Sequence, residues 1–225
     1  MGKVKELYKK FMDRFIKVCN KYGRNPQDIK IVAVSKGVDI ERIKEIISIG
    51  VRNIGENRVQ EAEEKIGVLG KEGIVWHMVG HLQRNKVKKA LKLFDMIQSV
   101  DSLKLAKEIN KRAVDKVDVL IEVNTSGEEQ KYGFSPVEIM NVFEELLNLN
   151  NLNILGLMTV GPYPTGEIVS RKAFALLREI KIKLEEEYSV NLPILSMGMT
   201  EDWEWAVAEG STMLRLGRAL FGERR

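Results

Sequence analysis

Eight short apolar runs, nearly all separated by stretches of helical periodicity, constrain this chain more than any other feature of it. The runs are Ile31–Val34, Val51–Ile54, Ile74–Val79, Phe94–Val100, Val117–Val123, Asn153–Thr159, Pro193–Ser196 and Thr212–Arg215. Each is short, rich in β-branched or other apolar residues and bounded by turn residues, the signature of a strand covered on both faces. Strict βα alternation implies parallel pairing and right-handed crossovers. Eight such units in 225 residues predict an α/β fold consisting of a single closed (β/α)8 TIM barrel. The competing architecture, an open doubly wound sheet, calls for G-x-G-x-x-G in the first βα turn, and Ser35-Lys36-Gly37-Val38-Asp39 does not supply it.

Punctuation supports the alternation. Leu7, Phe11, Phe15, Ile16 and Val18 give an extra N-terminal helix over Val4–Tyr22, stopped by Gly23 and followed by the Asn25-Pro26 turn. The predicted organisation is one domain over residues 1–225, with a leading helix in 1–24 and the barrel in 30–225. Asp39 and Asp101 are placed to cap helices, Pro136 suits a first turn, and Thr200 is expected to cap a helix carrying Glu201 and Asp202 in its first turn.

Composition narrows the setting. The chain is 44% hydrophobic and 30% charged, with a net charge of +4 whose signs are interspersed, so no nucleic-acid footprint stands out. Lys86, Lys88, Lys89 and Lys92 read as the wet face of a helix. Cys19 is the only cysteine, which excludes an internal disulfide and fits a reducing cytoplasm. No segment approaches the ~20 apolar residues that cross a bilayer, and Gly2–Lys10 lacks an apolar signal core. The expectation is a soluble cytoplasmic monomer without nucleic-acid or membrane partners.

A barrel carries its site at the C-terminal ends of its strands. That rule brings forward Lys36, Glu56, Asn57, His77, Asn124, Met158, Thr159, Ser196 and Arg215. Ser196-Met197-Gly198-Met199-Thr200 and Arg215-Leu216-Gly217-Arg218 leave strands seven and eight, where barrels often seat a phosphate on converging backbone N–H groups. Taken alone, Gly198 and Gly217 also fit plain tight turns, and Lys36 a solvated lysine. Closure makes strands eight and one neighbours, which brings Lys36, Arg215 and both loops to one mouth. An amine, a permanent cation and an anion site are together what pyridoxal phosphate requires: the lysine forms a Schiff base with the aldehyde, and the arginine meets the ring nitrogen. His77 and His81 have no third His or Cys to complete a zinc set, so no metal is expected. Trp203 and Trp205 read as helix packing, and Lys131-Tyr132-Gly133 as a polar loop over the mouth.

Several segments then resemble the pyridoxal phosphate homeostasis proteins, the YggS/PROSC group. They are Ala33-Val34-Ser35-Lys36, Asn53 to Glu61, His77 to Lys86, Gly156-Leu157-Met158-Thr159, Ser196 to Thr200 with Asp202, and Arg215 to Arg218 with Phe221-Gly222. The resemblance implies a fold-type III barrel similar to the N-terminal domain of alanine racemase. It makes Lys36 the Schiff-base residue and Arg215 the pyridine-nitrogen partner. It gives Ser196, Gly198, Thr200 and Gly217 to the phosphate and sets Asn57 beside the cofactor; His77 and Met158 join them from their strand ends. Fold-type III racemases complete their acid–base pair from an additional β domain, which this sequence does not continue into. The expected function is therefore storage, delivery or buffering of the cofactor, with PLP-dependent apo-enzymes as recipients and little or no turnover. The alternatives are an amino-acid racemase with Lys36 as base and a Schiff-base aldolase acting on a sugar phosphate.

Overall fold

A short strand buried on both faces has its backbone groups satisfied only by neighbours on either side, and here every apolar run finds two. The computed structural model describes residues 2–223. Its strands are β1 (Lys30–Val34), β2 (Asn53–Glu56), β3 (Val75–Met78), β4 (Met96–Val100), β5 (Val117–Glu122), β6 (Leu152–Met158), β7 (Ile194–Ser196) and β8 (Met213–Leu216). They pair in parallel in chain order and close into a barrel. The connecting helices are α2 (Ile40–Ser48), α3 (Val59–Leu69), α4 (Val87–Leu93), α5 (Leu103–Arg112), α6 (Pro136–Leu147), α7 (Glu167–Tyr188) and α8 (Trp203–Ala208). Helix α1 (Lys3–Lys21) precedes the barrel and α9 (Arg218–Phe221) follows β8. The (β/α)8 expectation and the leading helix hold. Of the expected domain limits, Met1, Arg224 and Arg225 lie outside the described residues.

The closing seam brings the first and last strands side by side. Along it Val32 pairs with Arg215 and Ala33 with Leu216, while on the other side of β1 Val34 pairs with Gly55. Outside the strands, α1 packs on α2, α8 and α9, and Phe11 meets the Trp203 ring edge-on at 5.1 Å. Inside the barrel, Val32, Met96, Leu120, Met158, Ile194 and Met213 form an apolar plug. Met158, expected beside a cofactor, is fully buried in that plug. The rest of the lumen is polar, lined by His77, Gln98, Ser196 and Arg215, all buried.

The cap of α5 differs from expectation, and the expected first-turn proline of α6 is found. Ser102, not Asp101, caps α5 by accepting from Leu105 N at 3.3 Å, and Asp101 instead holds His81 Nδ1 at 2.6 Å. At the start of α6, Ser135 and Glu138 form a reciprocal capping box around Pro136.

Candidate functional site

The chain leaves β1 through Ser35-Lys36-Gly37, where Gly37 takes a positive φ of 68° that other residues adopt at a cost. Beneath this turn lies a buried ion cluster. Lys65 Nζ donates to the Ser35 carbonyl at 2.6 Å, to Glu56 Oε1 at 2.6 Å and to Glu61 Oε1 at 2.7 Å. Glu61 Oε1 also accepts from Gly37 N at 2.6 Å, and the Ser35 hydroxyl donates to Glu56. The carbonyl before Lys36 and the N–H after it are thus tied to one ammonium and its carboxylates. Lys36 itself is half-buried and makes no hydrogen bond or ion pair among the described residues. It stands in the wall between two cavities of about 490 and 580 Å³.

Arg215, on the neighbouring strand β8 and in register with Val32, lines the 490 Å³ cavity together with Lys36. Its Nη1 donates to the Ser196 carbonyl at 2.8 Å and to Ser196 Oγ at 2.7 Å, and its Nη2 donates to the Thr159 carbonyl at 2.7 Å. The Nε hydrogen and the second Nη2 hydrogen have no partner among the described residues. Burial lowers the guanidinium to about 10, with the carboxylates of Glu122 and Asp202 opposing that, so Arg215 is cationic at neutral pH.

Two loops complete the mouth. The backbone N–H groups of Thr200, Glu201, Gly217 and Arg218 find no acceptor among the described residues, and Ala219 N donates to Thr200 Oγ1 at 3.3 Å, tying the loops together. Thr200 does not cap a helix as expected. Helix α8 begins only at Trp203, and Asp202 turns back to accept from Met199 N at 2.5 Å, while Glu201 pairs with Arg218. Asn57 lines both cavities, and its Oδ1 is buried without a partner.

Lys36, Asn57, Thr200, Arg215 and Gly217 therefore share one cavity. Four expected residues do not line it. Ser196 turns its hydroxyl into the lumen, where Arg215 and Gln98 engage it. A Cβ on Gly198 would stand 2.6 Å from Ala206 Cβ, so this glycine serves the passage of the loop over α8. His77 lies inside the barrel between Asn53 and Gln98, and Met158 in the plug. Sequence reasoning does not single out Lys131, Tyr163, Asp202 and Arg218 as site residues, yet all four line the cavity. Lys131 Nζ donates to the Gly161 carbonyl at 2.6 Å, and Tyr132 stacks on His81 at 3.8 Å, so the loop after β5 is clasped over the mouth.

Glu122, the last residue of β5, is buried near Arg215, and burial first, then the charge of Asp101, pushes its carboxyl to about 7 against the pull of Arg215. A carboxyl raised in the folded state stabilises most below its unfolded pKa, and that contribution is lost as pH rises through the folded one. Glu122→Gln is therefore expected to gain on the parent by roughly 3 kcal/mol between pH 4.5 and 7, read by denaturant unfolding of the ligand-free proteins. A difference independent of pH would show that Glu122 ionises normally.

A parallel eight-stranded barrel with a lysine and an arginine across its closing seam defines a class, and the family model for the alanine racemase N-terminal domain matches it over residues 17–225. The pyridoxal phosphate homeostasis protein of Aquifex aeolicus is 43% identical over 223 residues, 98% of each chain. That of Escherichia coli is 35% identical over 221 residues, 94% of this chain and 93% of the relative. Among solved structures, PipY of Synechococcus elongatus with PLP bound superposes with a TM-score of 0.82 at 33% identity, covering 92% of this chain and 99% of PipY. Alanine racemase of Clostridium difficile shares the fold at a TM-score of 0.73 and 19% identity, with 94% of this chain matching 56% of the racemase. The chain belongs to the pyridoxal phosphate homeostasis protein family.

Proposed function

We propose that this chain binds pyridoxal 5'-phosphate at the barrel mouth and stores, delivers or buffers it, with little or no turnover. The observation that carries the reading is the half-buried, unpartnered Lys36 facing a cavity shared with an Arg215 that has uncommitted N–H groups. The residues fit the group. Lys36 supplies the amine, Arg215 the donor to the ring nitrogen, and Thr200 and Gly217, with the free N–H groups around them, the phosphate seat. Asn57 offers its orphaned oxygen beside the ring.

When bound, the cofactor supplies an electrophilic aldehyde and a ring able to accept electrons. Arg215 holds its protons too tightly to give one up to the ring nitrogen, and a neutral pyridine is a poor electron sink. The chain therefore favours holding the cofactor over working with it. Release to PLP-dependent apo-enzymes is the use this supports, and it needs neither nucleic acid nor a second copy of the chain. The buried lone Cys19 suits a reducing cytoplasm, and no described helix is long and apolar enough to cross a membrane.

Mixing the protein with PLP is expected to produce a visible absorption band, and borohydride reduction with peptide mapping to place the pyridoxyl group on Lys36. A modified peptide elsewhere would sink the assignment, and absence of the band would favour the aldolase reading. Rapid interconversion of an L-amino acid by the loaded protein, seen by chiral chromatography, would turn the carrier into a racemase.

A further inference from the structure

The barrel lumen carries a run of hydrogen bonds below the cavity. Arg215 Nη1 lies 2.7 Å from Ser196 Oγ, which lies 2.7 Å from Gln98 Oε1. Gln98 Nε2 lies 3.0 Å from His77 Nδ1, and His77 Nε2 lies 3.0 Å from Asn53 Oδ1. The run crosses the lumen from β8 and β7 to β4, β3 and β2.

The direction of every proton is set by its first member. A guanidinium only donates, so Ser196 Oγ accepts there and sends its own proton to Gln98. The amide atom it meets is then the oxygen. The other end of the amide is the NH2, which donates to His77 Nδ1 and, with its second hydrogen, to Met213 Sδ at 3.1 Å. Nδ1 therefore carries no proton, and the neutral ring keeps its proton on Nε2, facing Asn53 Oδ1. Reversing the amide would leave the Ser196 proton without an acceptor in a buried site. The ring's neutrality has an independent cause: burial, helped by the charge of Lys30 and opposed by Asp95, lowers His77 to about 4.

We propose that Gln98 and His77 are positioning residues for Arg215. A serine hydroxyl is a free rotor, and an arginine is a long flexible side chain. The one-way donor chain stops the rotor with its lone pair towards Nη1. Together with the Ser196 and Thr159 carbonyls it fixes the guanidinium plane, so the two uncommitted N–H groups are presented to the cavity at one angle. The inference rests on the reading in which Arg215 meets the ring nitrogen of bound pyridoxal phosphate.

Three measurements test it. First, 15N NMR of the ligand-free parent should show His77 as the Nε2–H tautomer, neutral throughout the physiological range; an Nδ1–H tautomer overturns the donor order. Second, Gln98→Leu should weaken PLP binding about tenfold, the worth of one charge-assisted hydrogen bond, and shift the absorption maximum of the bound cofactor. Gln98→Met takes its place should the leucine variant not fold. Third, Gln98→Glu keeps an acceptor for Ser196 and so should restore parental affinity and spectrum, while its carboxylate draws a second proton onto His77 and raises the titration of that ring. A packing role for Gln98 predicts the reverse order, because a buried charge is harder to accommodate than leucine. Parental binding by the leucine variant, or binding by the glutamate variant as weak as by the leucine one, overturns the proposal. If the parent itself binds no PLP, the functional reading fails, while the His77 tautomer and its response to Gln98→Glu still decide the donor order.

Discussion

Lys36→Ala is expected to lose the visible band with PLP altogether while keeping its unfolding free energy within about 0.5 kcal/mol of the parent. The separation of the two effects comes from the turn. Lys36 makes no ion pair or hydrogen bond among the described residues, so the fold loses only the packing of a partly exposed stem. The flanking Ser35 carbonyl and Gly37 N–H stay tied to Lys65 and Glu61. Arg215 and the two loops also remain, so the variant should still take up the cofactor weakly and release it on desalting. Spectral titration and denaturant unfolding read the two quantities side by side. A loss of stability beyond about 2 kcal/mol would make Lys36 a structural residue and remove the main support for its role.

Lys65→Met is expected to do the opposite, lowering stability by about 3–5 kcal/mol. The ammonium serves three acceptors, and Glu56 is fully buried with Oε2 already unpartnered. Removing the cation strands a charge that water cannot reach. Burial already pushes the Glu56 carboxyl above the usual range against the pull of Lys65, and the variant raises it further. A carboxyl raised in the folded state stabilises most when protonated, so the deficit should shrink as pH falls towards the ordinary carboxylate pKa. Adding Glu56→Gln should recover part of the loss. Unfolding at two pH values decides the matter: a cost under about 1 kcal/mol at neutral pH would mean the cluster is hydrated rather than buried. PLP binding should weaken in parallel, because the turn that aims Lys36 loses its tie.

These two lysines show where a sequence is informative. Lys36 stands out because a buried strand ends on it, and periodicity alone reveals such an ending. Most strands are legible for the same reason, parallel strands covered on both faces being continuous apolar runs, but β2 starts two residues beyond its expected start at Val51 and carries Asn53 and Glu56. Lys65 does not stand out, although Val59, Ala62 and Lys65 recur on one face of α3 and all are buried. A lysine on an apolar stripe is the available signal, and its partner Glu56 comes from another element. Ser196, His77 and Met158 point to the mouth in the sequence because they lie near strand ends. In a barrel the depth of an inward side chain depends on stagger between strands, which no single run encodes. Thr200 reaches the expected place by a different local route, since the chain makes an extra turn from Met199 to Asp202 before α8 starts.

The seam between β1 and β8 has a consequence for synthesis. Lys36 is made early and Arg215 with Gly217 late, and the two halves of the site meet only when β8 pairs with β1. A nascent chain on the ribosome, or a copy truncated before β8, carries Lys36 without Arg215 and the Gly217 loop that share its cavity. On the proposed function, a copy that stops before β8 would hold the cofactor less well than the finished barrel, so retention would follow closure of this seam.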